Sequence, residues 1–326
     1  MTTLTSATRP QAKVRTSLHR TEIVLAGLSV LAFVVLAATT GGNLLEAGTL
    51  QAVLQYLAVP IVIGLSQMVV LAVGQMNLSV GVLTGLCAMV GAGLMADAGL
   101  SPWLALPAAL VVGAVVGLAN GVLVVATRIN GFIVTLATMT IVAGLRYGIH
   151  GTGTYQDYSD GLVRFGRANV LGLPVVFLAA VATAVATWFF FARTVWGRQL
   201  LASGGNPLAT RLSGISNDRS VVIAHTLSGL LAGVAALLVV ALSGSVNASI
   251  GDDLLLPSFA APIIGGVALT GGVVSVVGTC LAAFIVRLVD VAQAQYNINP
   301  RWVDLVVGAV VLGAVLVSQK RGKETS

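Results

Sequence analysis

Charged side chains are scarce in this sequence. Aspartate, glutamate, lysine and arginine together make up only 9% of the 326 residues, whereas 57% are hydrophobic. An ordinary soluble domain has about 25% charged residues, and so few charges cannot cover the surface of a water-soluble protein of this length. The composition therefore excludes a soluble globular protein and predicts a chain that lies almost entirely within the lipid bilayer.

Residues that carry metal or nucleophile chemistry are also few. The two cysteines, Cys87 and Cys280, lie in apolar runs, and the three histidines are far apart in the chain. Neither set has metal-ligand spacing, and no phosphate-binding GxxxxGK[ST] loop, GxSxG elbow or HExxH pair is present. We therefore predict no catalytic residue, no metal site and no cofactor on this chain.

The basic residues are concentrated in three short segments. Eleven of the 17 lysines and arginines lie in 1–21, 193–219 and 319–326, as is typical of the cytoplasmic flanks of membrane helices. No aromatic residues alternate with them, so a nucleic-acid partner is not expected. We interpret 1–21 and 319–326 as cytoplasmic tails and 193–219 as a cytoplasmic loop, with a single membrane domain over 22–318.

Long apolar runs account for the rest of the chain, and in lipid such runs form helices because every backbone group must be hydrogen-bonded. The predicted fold is an all-α polytopic membrane bundle of about ten transmembrane helices, with both termini cytoplasmic. The segments 60–80 and 257–278 remain open to interpretation as half-helices. The predicted spans are 22–40, 50–73, 77–96, 103–126, 133–149, 170–192, 220–242, 257–269, 273–291 and 302–317.

Two of these runs are interrupted by glycine and polar residues, each after a proline, Pro60 or Pro262. Paired interruptions of this kind are typical of a transport path, because non-helical backbone at membrane depth must face protein or water. Close helix packing through glycine is the alternative, and both can hold at once. The candidate pathway or hinge residues here are Gln75, Asn77, Ser79 and Gly81 in the first interruption and Gly265, Gly266, Gly271 and Gly272 in the second.

The loop 193–219 carries four arginines and a single acid, Asp218. Asn206 and Pro207 are typical of the cap and first position of a helix, and Gly214 is typical of its end. A short helix on the cytoplasmic face with little of its own chain to pack against indicates a partner protein.

The chain resembles the permease subunits of the ribose-type branch of ATP-binding-cassette (ABC) sugar importers. The family typically reads Gly-Gly-Ile-Asp-Leu-Ser-Val-Gly where this chain has Gly-Gln-Met-Asn-Leu-Ser-Val-Gly at 74–81. Further matching stretches are 117–121 with 130–136, 194–198 with 204–215, and 265–272, ending at 278–279. Together they cover residues 43 to about 280 in the family's order.

The resemblance implies a transport subunit of the bacterial cell membrane that is not itself an enzyme. Its implied partners are ABC ATPase subunits, which bind ATP and Mg²⁺, a second permease copy or paralogue, and an extracytoplasmic sugar-binding protein. Asn120 and Thr135 join Gln75, Asn77 and Ser79 as candidates that line the pathway or form its hinge. The implied coupling helix, which docks on the ATPase, comprises Gly204, Gly205, Asn206, Pro207, Leu208, Ala209, Thr210, Arg211 and Gly214.

Two residues depart from the family pattern: Asn77 stands where aspartate is usual, and Gln75 where glycine is usual. Both are neutral and can hydrogen-bond, which suits a path for an uncharged sugar. The alternative function is a secondary carrier or facilitator for small neutral solutes, and a membrane-embedded enzyme is a third. The scarcity of ionisable residues in the spans counts against a proton-coupled carrier; Arg287 and Asp290 are expected to pair with each other on one helix face.

Overall fold

The protein is described by a computed structural model over residues 10–156 and 158–299 and the single positions 302, 305, 308, 309 and 313, with side chains described from residue 20 onward. These residues form a helical bundle with two small two-stranded sheets. The helices are α1 (Pro10–Thr39), α2 (Ala47–Leu71), α3 (Val80–Ala96), α4 (Pro102–Thr127), α5 (Gly131–His150), α6 (Asp160–Gly166), α7 (Val175–Arg193), α8 (Val195–Gly205), α9 (Pro207–Leu212), α10 (Asn217–Ser243), α11 (Leu255–Ile264) and α12 (Val276–Gln295). The strands are β1 (Thr154–Gln156), β2 (Asn169–Val170), β3 (Leu173–Pro174) and β4 (Ser245–Asn247), and two 3-10 turns lie at Asn43–Leu45 and Asp252–Leu254.

Seven of the described helices, α1, α2, α4, α5, α7, α10 and α12, are long and apolar enough to cross a membrane. They confirm the prediction of an all-α polytopic membrane protein. Of the two interpretations of 257–278, a full-length helix over 257–269 is wrong and a half-helix is what the structure has, because α11 has only 10 residues and the chain from 265 to 275 is not helical. At 1.5 Å per residue α11 is about 15 Å long, half of what a span needs. The last predicted span, 302–317, lies almost wholly outside the described residues.

Helices α2 and α10 form the centre of the bundle, and the other long helices surround them. Small residues allow α4 and α10 to approach closely, as membrane helices commonly do. A Cβ atom on Gly117 would lie 3.0 Å from the Cα of Gly229, and one on Gly121 would lie 2.7 Å from the Cα of Val222. Helix α1 packs at the edge of the bundle on α12, where Phe33 and Phe284 are 6.4 Å apart between ring centroids.

Polar side chains immediately before several helices fix where those helices begin. Asn130 accepts a hydrogen bond from the N–H of Phe132 at the start of α5, and Ser275 accepts one from Gly278 at the start of α12. Asn206 does the same for α9 by accepting from Ala209 at 2.9 Å. These bonds satisfy N–H groups that have no partner within the first helical turn.

The two ends of the bundle differ in structure. At one end, called the sheet end, β1 pairs antiparallel with β4, and the chain 244–254 returns into the bundle against α3. The segment 150–169, between the predicted spans 133–149 and 170–192, lies here and contains β1 and α6. At the other end, called the α9 end, lie the α4–α5 turn, α8, α9 and the start of α10. The predicted loop 193–219 therefore contains two helices, of which α8 was not predicted.

Candidate functional site

The two interrupted segments meet each other at the α9 end. The first runs from Ala72 to Ser79 between α2 and α3, and the second runs from 265 to 275 between α11 and α12. The N–H of Gly272 donates a hydrogen bond of 2.9 Å to the carbonyl of Ala72. A Cβ on Gly74 would lie 2.9 Å from the carbonyl oxygen of Thr270. Residues almost 200 positions apart thus share one backbone contact.

The end of α8 packs into the same place. A Cβ on Gly204 would overlap the carbonyl oxygen of Ala72 and lie 2.6 Å from the nitrogen of Gly272. A Cβ on Gly271 would lie 2.8 Å from the Cα of Gly204. At such distances from backbone atoms there is room for the second Hα atom of glycine but not for a methyl group. The group Gly74, Gly204, Gly205, Gly271 and Gly272 is called the glycine junction below.

Backbone conformation also requires glycine at three positions of the junction. Gly74, Gly271 and Gly272 have φ angles of 71°, 89° and 80°, a region that glycine adopts without the steric cost of a side chain. The interruptions therefore have glycine both for turning and for close packing. Within the junction the close glycine packing occurs, and it coincides with the interrupted backbone.

Beyond the junction, the first interruption continues into a buried polar network around Asn77. The Asn77 amide nitrogen donates to Ser228 Oγ in α10 at 3.1 Å, and its oxygen accepts from Ser79 Oγ at 2.7 Å. Asn120 in α4 donates to Ser79 Oγ at 3.2 Å and accepts from Thr138 Oγ1 at 2.6 Å. An uncharged amide suits this position, because it both donates and accepts and needs no counter-ion in a buried site.

Gln75 and Thr135 fasten the interruption to the start of α5. The Gly131 N–H donates to Gln75 Oε1 at 3.0 Å, and the Leu78 N–H donates to Thr135 Oγ1 at 3.1 Å. The structure therefore brings Gln75, Asn77, Ser79, Asn120 and Thr135 together, and all except Gln75 are fully buried. Their side chains bond one another and their neighbours within one chain.

The remaining candidate glycines lie elsewhere. Gly81 packs at the other end of the interruption, where its Cβ would lie 3.3 Å from the nitrogen of Leu255. Gly265 packs α11 against α12, with a Cβ position 2.6 Å from the nitrogen of Thr279. Gly266, at φ 87°, faces Thr21 of α1. None of these three belongs to the glycine junction, although Gly265 and Gly266 end α11.

Helix α9 is held to its neighbours by polar bonds but presents apolar side chains outward. Thr210 Oγ1 donates to the carbonyl of Ala202 in α8, and Asn217 of α10 donates to the carbonyl of Pro207, both at 2.8 Å. Leu208 and Leu212 are 70% and 82% exposed. Gly214, at φ 79°, follows the helix. A fixed helix with an exposed apolar surface at the end of a bundle is suited to contact another protein.

An ion pair links α10 to the α4–α5 turn beside α9. Arg128 donates to both carboxylate oxygens of Asp218, at 2.8 and 3.0 Å. This hydrogen bonding raises the pKa of Arg128 above its ordinary value, and the charge of Asp218 adds to the effect. The two residues line a polar cavity of about 470 Å³ that also includes Arg211 and Gly214.

Several of these partners were not predicted. The sequence predicts ordinary apolar spans around Ser228 and Thr138, where the only signal is a polar residue within an apolar run. It predicts a loop around Asp218 and gives no sign that this residue pairs with Arg128.

Arg287 and Asp290 form the predicted ion pair, at 3.7 Å. Arg146 is buried at the sheet end, where it donates to the carbonyl of Ile250 at 2.7 Å and pairs with Asp252.

Two other features of the described residues bear on the site. His225, next to the first interruption, is fully buried, and neither of its ring nitrogens has a hydrogen-bond partner. Among the described residues no group of three or more His, Cys, Asp or Glu side chains could hold a metal ion. A groove of about 530 Å³ between α2, α7 and α12 is lined by apolar side chains and Cys280, and its lining offers a polar solute almost nothing to bond.

Comparison with known proteins identifies the family. The family model described as "Branched-chain amino acid transport system / permease component" matches residues 49–315. The chain belongs to this family. It is a permease component, a transport subunit rather than an enzyme, and with its apolar helices it is a multi-pass protein of the bacterial cell membrane.

Individual relatives match over most of their length. The chain is 30% identical to the fructose import permease protein FrcC of Rhizobium meliloti, over 91% of this chain and 84% of the relative. It is 29% identical to the ribose import permease protein RbsC of Escherichia coli K12, over 90% and 92%. It is 32% identical to the autoinducer 2 import system permease protein LsrD of Enterobacter sp. strain 638, over 81% of each. No solved structure matches the chain.

Proposed function

We propose that this chain forms the translocation pathway of an ABC importer for a sugar or sugar-like solute. The named relatives carry out import of fructose, ribose and autoinducer 2, although the family description names branched-chain amino acids. The network around Asn77 contains only uncharged amides and hydroxyls, which suits a path for an uncharged polar solute. A zwitterionic amino acid would need charged partners, and the network has none.

The main support for transport driven by a separate ATPase subunit is the contact of α8 with both interruptions at the glycine junction. In this proposal α9 docks on a cytoplasmic ATPase subunit through Leu208 and Leu212, and α8 passes its displacement to the backbone of both interruptions. ATP and Mg²⁺ bind to the ATPase alone. A binding protein delivers the sugar at the sheet end, on the outer face of the membrane.

Charge supports an orientation with the α9 end in the cytoplasm. This end carries Arg128, Arg193, Arg198, Arg211 and Arg219, and the positive-inside rule associates such residues with the cytoplasmic side. About ten spans with both termini cytoplasmic fit this orientation. A second permease copy or a paralogue would supply the other wall of the path, since the polar side chains around Asn77 are occupied by bonds within one chain.

The test is uptake by the purified chain in proteoliposomes, together with candidate ABC ATPase subunits and sugar-binding proteins from the same organism. The expected result is uptake of a pentose, hexose or related sugar that requires the ATPase, ATP and the binding protein. Uptake that persists without the ATPase would instead establish a secondary carrier. ATP-dependent uptake of leucine or valine with no sugar uptake would contradict the substrate class and leave the importer mechanism standing.

A further inference from the structure

The Arg128–Asp218 pair joins elements that lie 90 positions apart in sequence. Arg128 is the residue that ends α4, and Asp218 lies in the first turn of α10. Both are largely exposed, at 68% and 43% of the side chain. Exposed pairs of this kind contribute little to folding stability, so stability alone does not explain the pair's two-pronged geometry.

Arg128 is also held in an unusual conformation. Its φ angle is 59°, one of only three positive values among the non-glycine residues that the structure describes. Arginine has no intrinsic preference for this region, which is sterically unfavourable for a residue with a Cβ. The conformation is sustained by what surrounds it, and the two hydrogen bonds to Asp218 are the side-chain contacts that the guanidinium makes there.

The pair lies in the middle of a series of polar contacts that are joined by short stretches of the backbone. On one side, Asn217, next to Asp218, donates to the Pro207 carbonyl of α9 at 2.8 Å. On the other side, the turn that begins with Arg128 leads within three residues to Gly131, whose N–H binds Gln75 at 3.0 Å. A displacement of α9 therefore reaches the first interruption through this turn as well as through the glycine junction.

We infer that the Arg128–Asp218 ion pair is a positioning contact that couples movement of α9 to the inner ends of α4 and α5 and so to the first interruption. The inference rests on the proposed docking of an ATPase on α9. Because the pair acts through geometry, its loss should leave the complex folded and able to hydrolyse ATP, while less solute is moved per ATP.

The experiment compares Arg128→Gln, Asp218→Asn and the charge swap Arg128→Asp with Asp218→Arg. The control is Arg219→Gln, which removes an exposed charge next to Asp218 for which the structure gives no ion pair. Each is assembled with the ATPase and binding protein in proteoliposomes. Solute uptake, ATP hydrolysis and thermal melting are measured on the same preparations.

The single variants are expected to lower solute moved per ATP by about fivefold or more, the lower end of typical coupling between sites, with melting unchanged. The swap should recover part of this loss. Aspartate tolerates the left-handed conformation of position 128, whereas arginine in the first turn of α10 opposes the helix dipole, which makes recovery incomplete.

Four outcomes decide the matter. Single variants that match Arg219→Gln in solute per ATP would overturn the inference, and so would a folded swap variant with no recovery. If the unaltered chain shows no ATP-dependent uptake, the proposed function fails before the pair is tested. A lower melting temperature in the single variants that the swap does not reverse would assign the pair a structural role and also overturn the inference.

Discussion

Replacing Gly204 with alanine should disconnect α8 from the two interruptions. The new methyl group would overlap the carbonyl oxygen of Ala72 and lie 2.6 Å from the nitrogen of Gly272. Both neighbours are backbone atoms in a hydrogen-bonded contact, so neither can rotate away. Ordinary contact begins near 3.4 Å, and α8 must therefore move away from both interruptions by close to an ångström.

The energetic cost can be estimated from the geometry. Inserting a methylene-sized group into a well-packed site costs about 1–3 kcal/mol, and alanine returns about 0.5–1 kcal/mol by its better helix propensity. The net loss is at most about 2.5 kcal/mol, which for a domain of this size is a fall in melting temperature of at most about 10 °C. The protein should remain folded, and its ATPase partner should still bind α9.

The functional effect should be larger than the effect on stability. A misplacement of about 1 Å can lower a rate about 10²-fold, and we expect solute moved per ATP to fall at least about tenfold on the same basis. The assay measures uptake and ATP hydrolysis together in proteoliposomes that contain the full transporter.

Gly205→Ala is the matched control for this prediction. Its methyl group would lie 3.6 Å from the Cα of Gly272, an ordinary contact, and it lies in the same helix next to Gly204. We expect uptake and melting close to those of the unaltered chain. Equal solute per ATP in the Gly204→Ala and Gly205→Ala complexes would refute the role of the junction in coupling.

Three further predictions concern the surroundings of the site. Ser228→Ala should destabilise the protein by about 1–3 kcal/mol, because the Asn77 amide loses a buried acceptor; melting of this variant is compared with that of Thr226→Val, whose lost hydroxyl bonds only within its own helix. Arg146→Met should speed amide hydrogen exchange in 245–254 about tenfold or more, since a hydrogen bond from a charged group contributes about 1.5–3 kcal/mol. Exchange is measured by mass spectrometry, with Arg287→Met as the control, and unchanged exchange in 245–254 would contradict the prediction. Burial raises the pKa of Tyr158 from 10.0 to about 12, so the folded state keeps a proton that the unfolded state loses. Stability should therefore fall as pH rises from 10.0 to about 12, and in Tyr158→Phe, which also loses the bond to Val240, this part of the pH dependence should disappear.

Local features of the site were predictable because their signals lie close together in sequence. The Asn206 cap and the Pro207 first position predicted α9, and the structure has that helix at Pro207–Leu212. Both residues act through backbone groups within one helical turn. The glycine interruptions were recognisable for the same reason, since each is a short departure from an apolar run.

What lay beyond prediction was the set of partners. Nothing near Gly74 in sequence indicates that Thr270 and Gly271 will touch it, because backbone packing leaves no trace in side-chain chemistry. The length of α11 was overestimated because Val267 and Leu269 continue the apolar run past Gly265 and Gly266. A buried extended segment needs apolar residues as much as a buried helix does, so the hydropathy of a run does not distinguish an extended segment from a helix.

The two parts of the first interruption differ in the kind of contact that holds them, and this difference has a mechanistic consequence. Around Asn77 the contacts are directional hydrogen bonds, which are costly to leave unmade in a buried site. At the glycine junction the contacts are mostly backbone surfaces without side chains to interlock. Movement imposed by α8 should therefore displace the chain at Gly74 before it breaks the network at Asn77. Substitutions in the network should act chiefly on melting, and Gly204→Ala in the junction chiefly on solute moved per ATP.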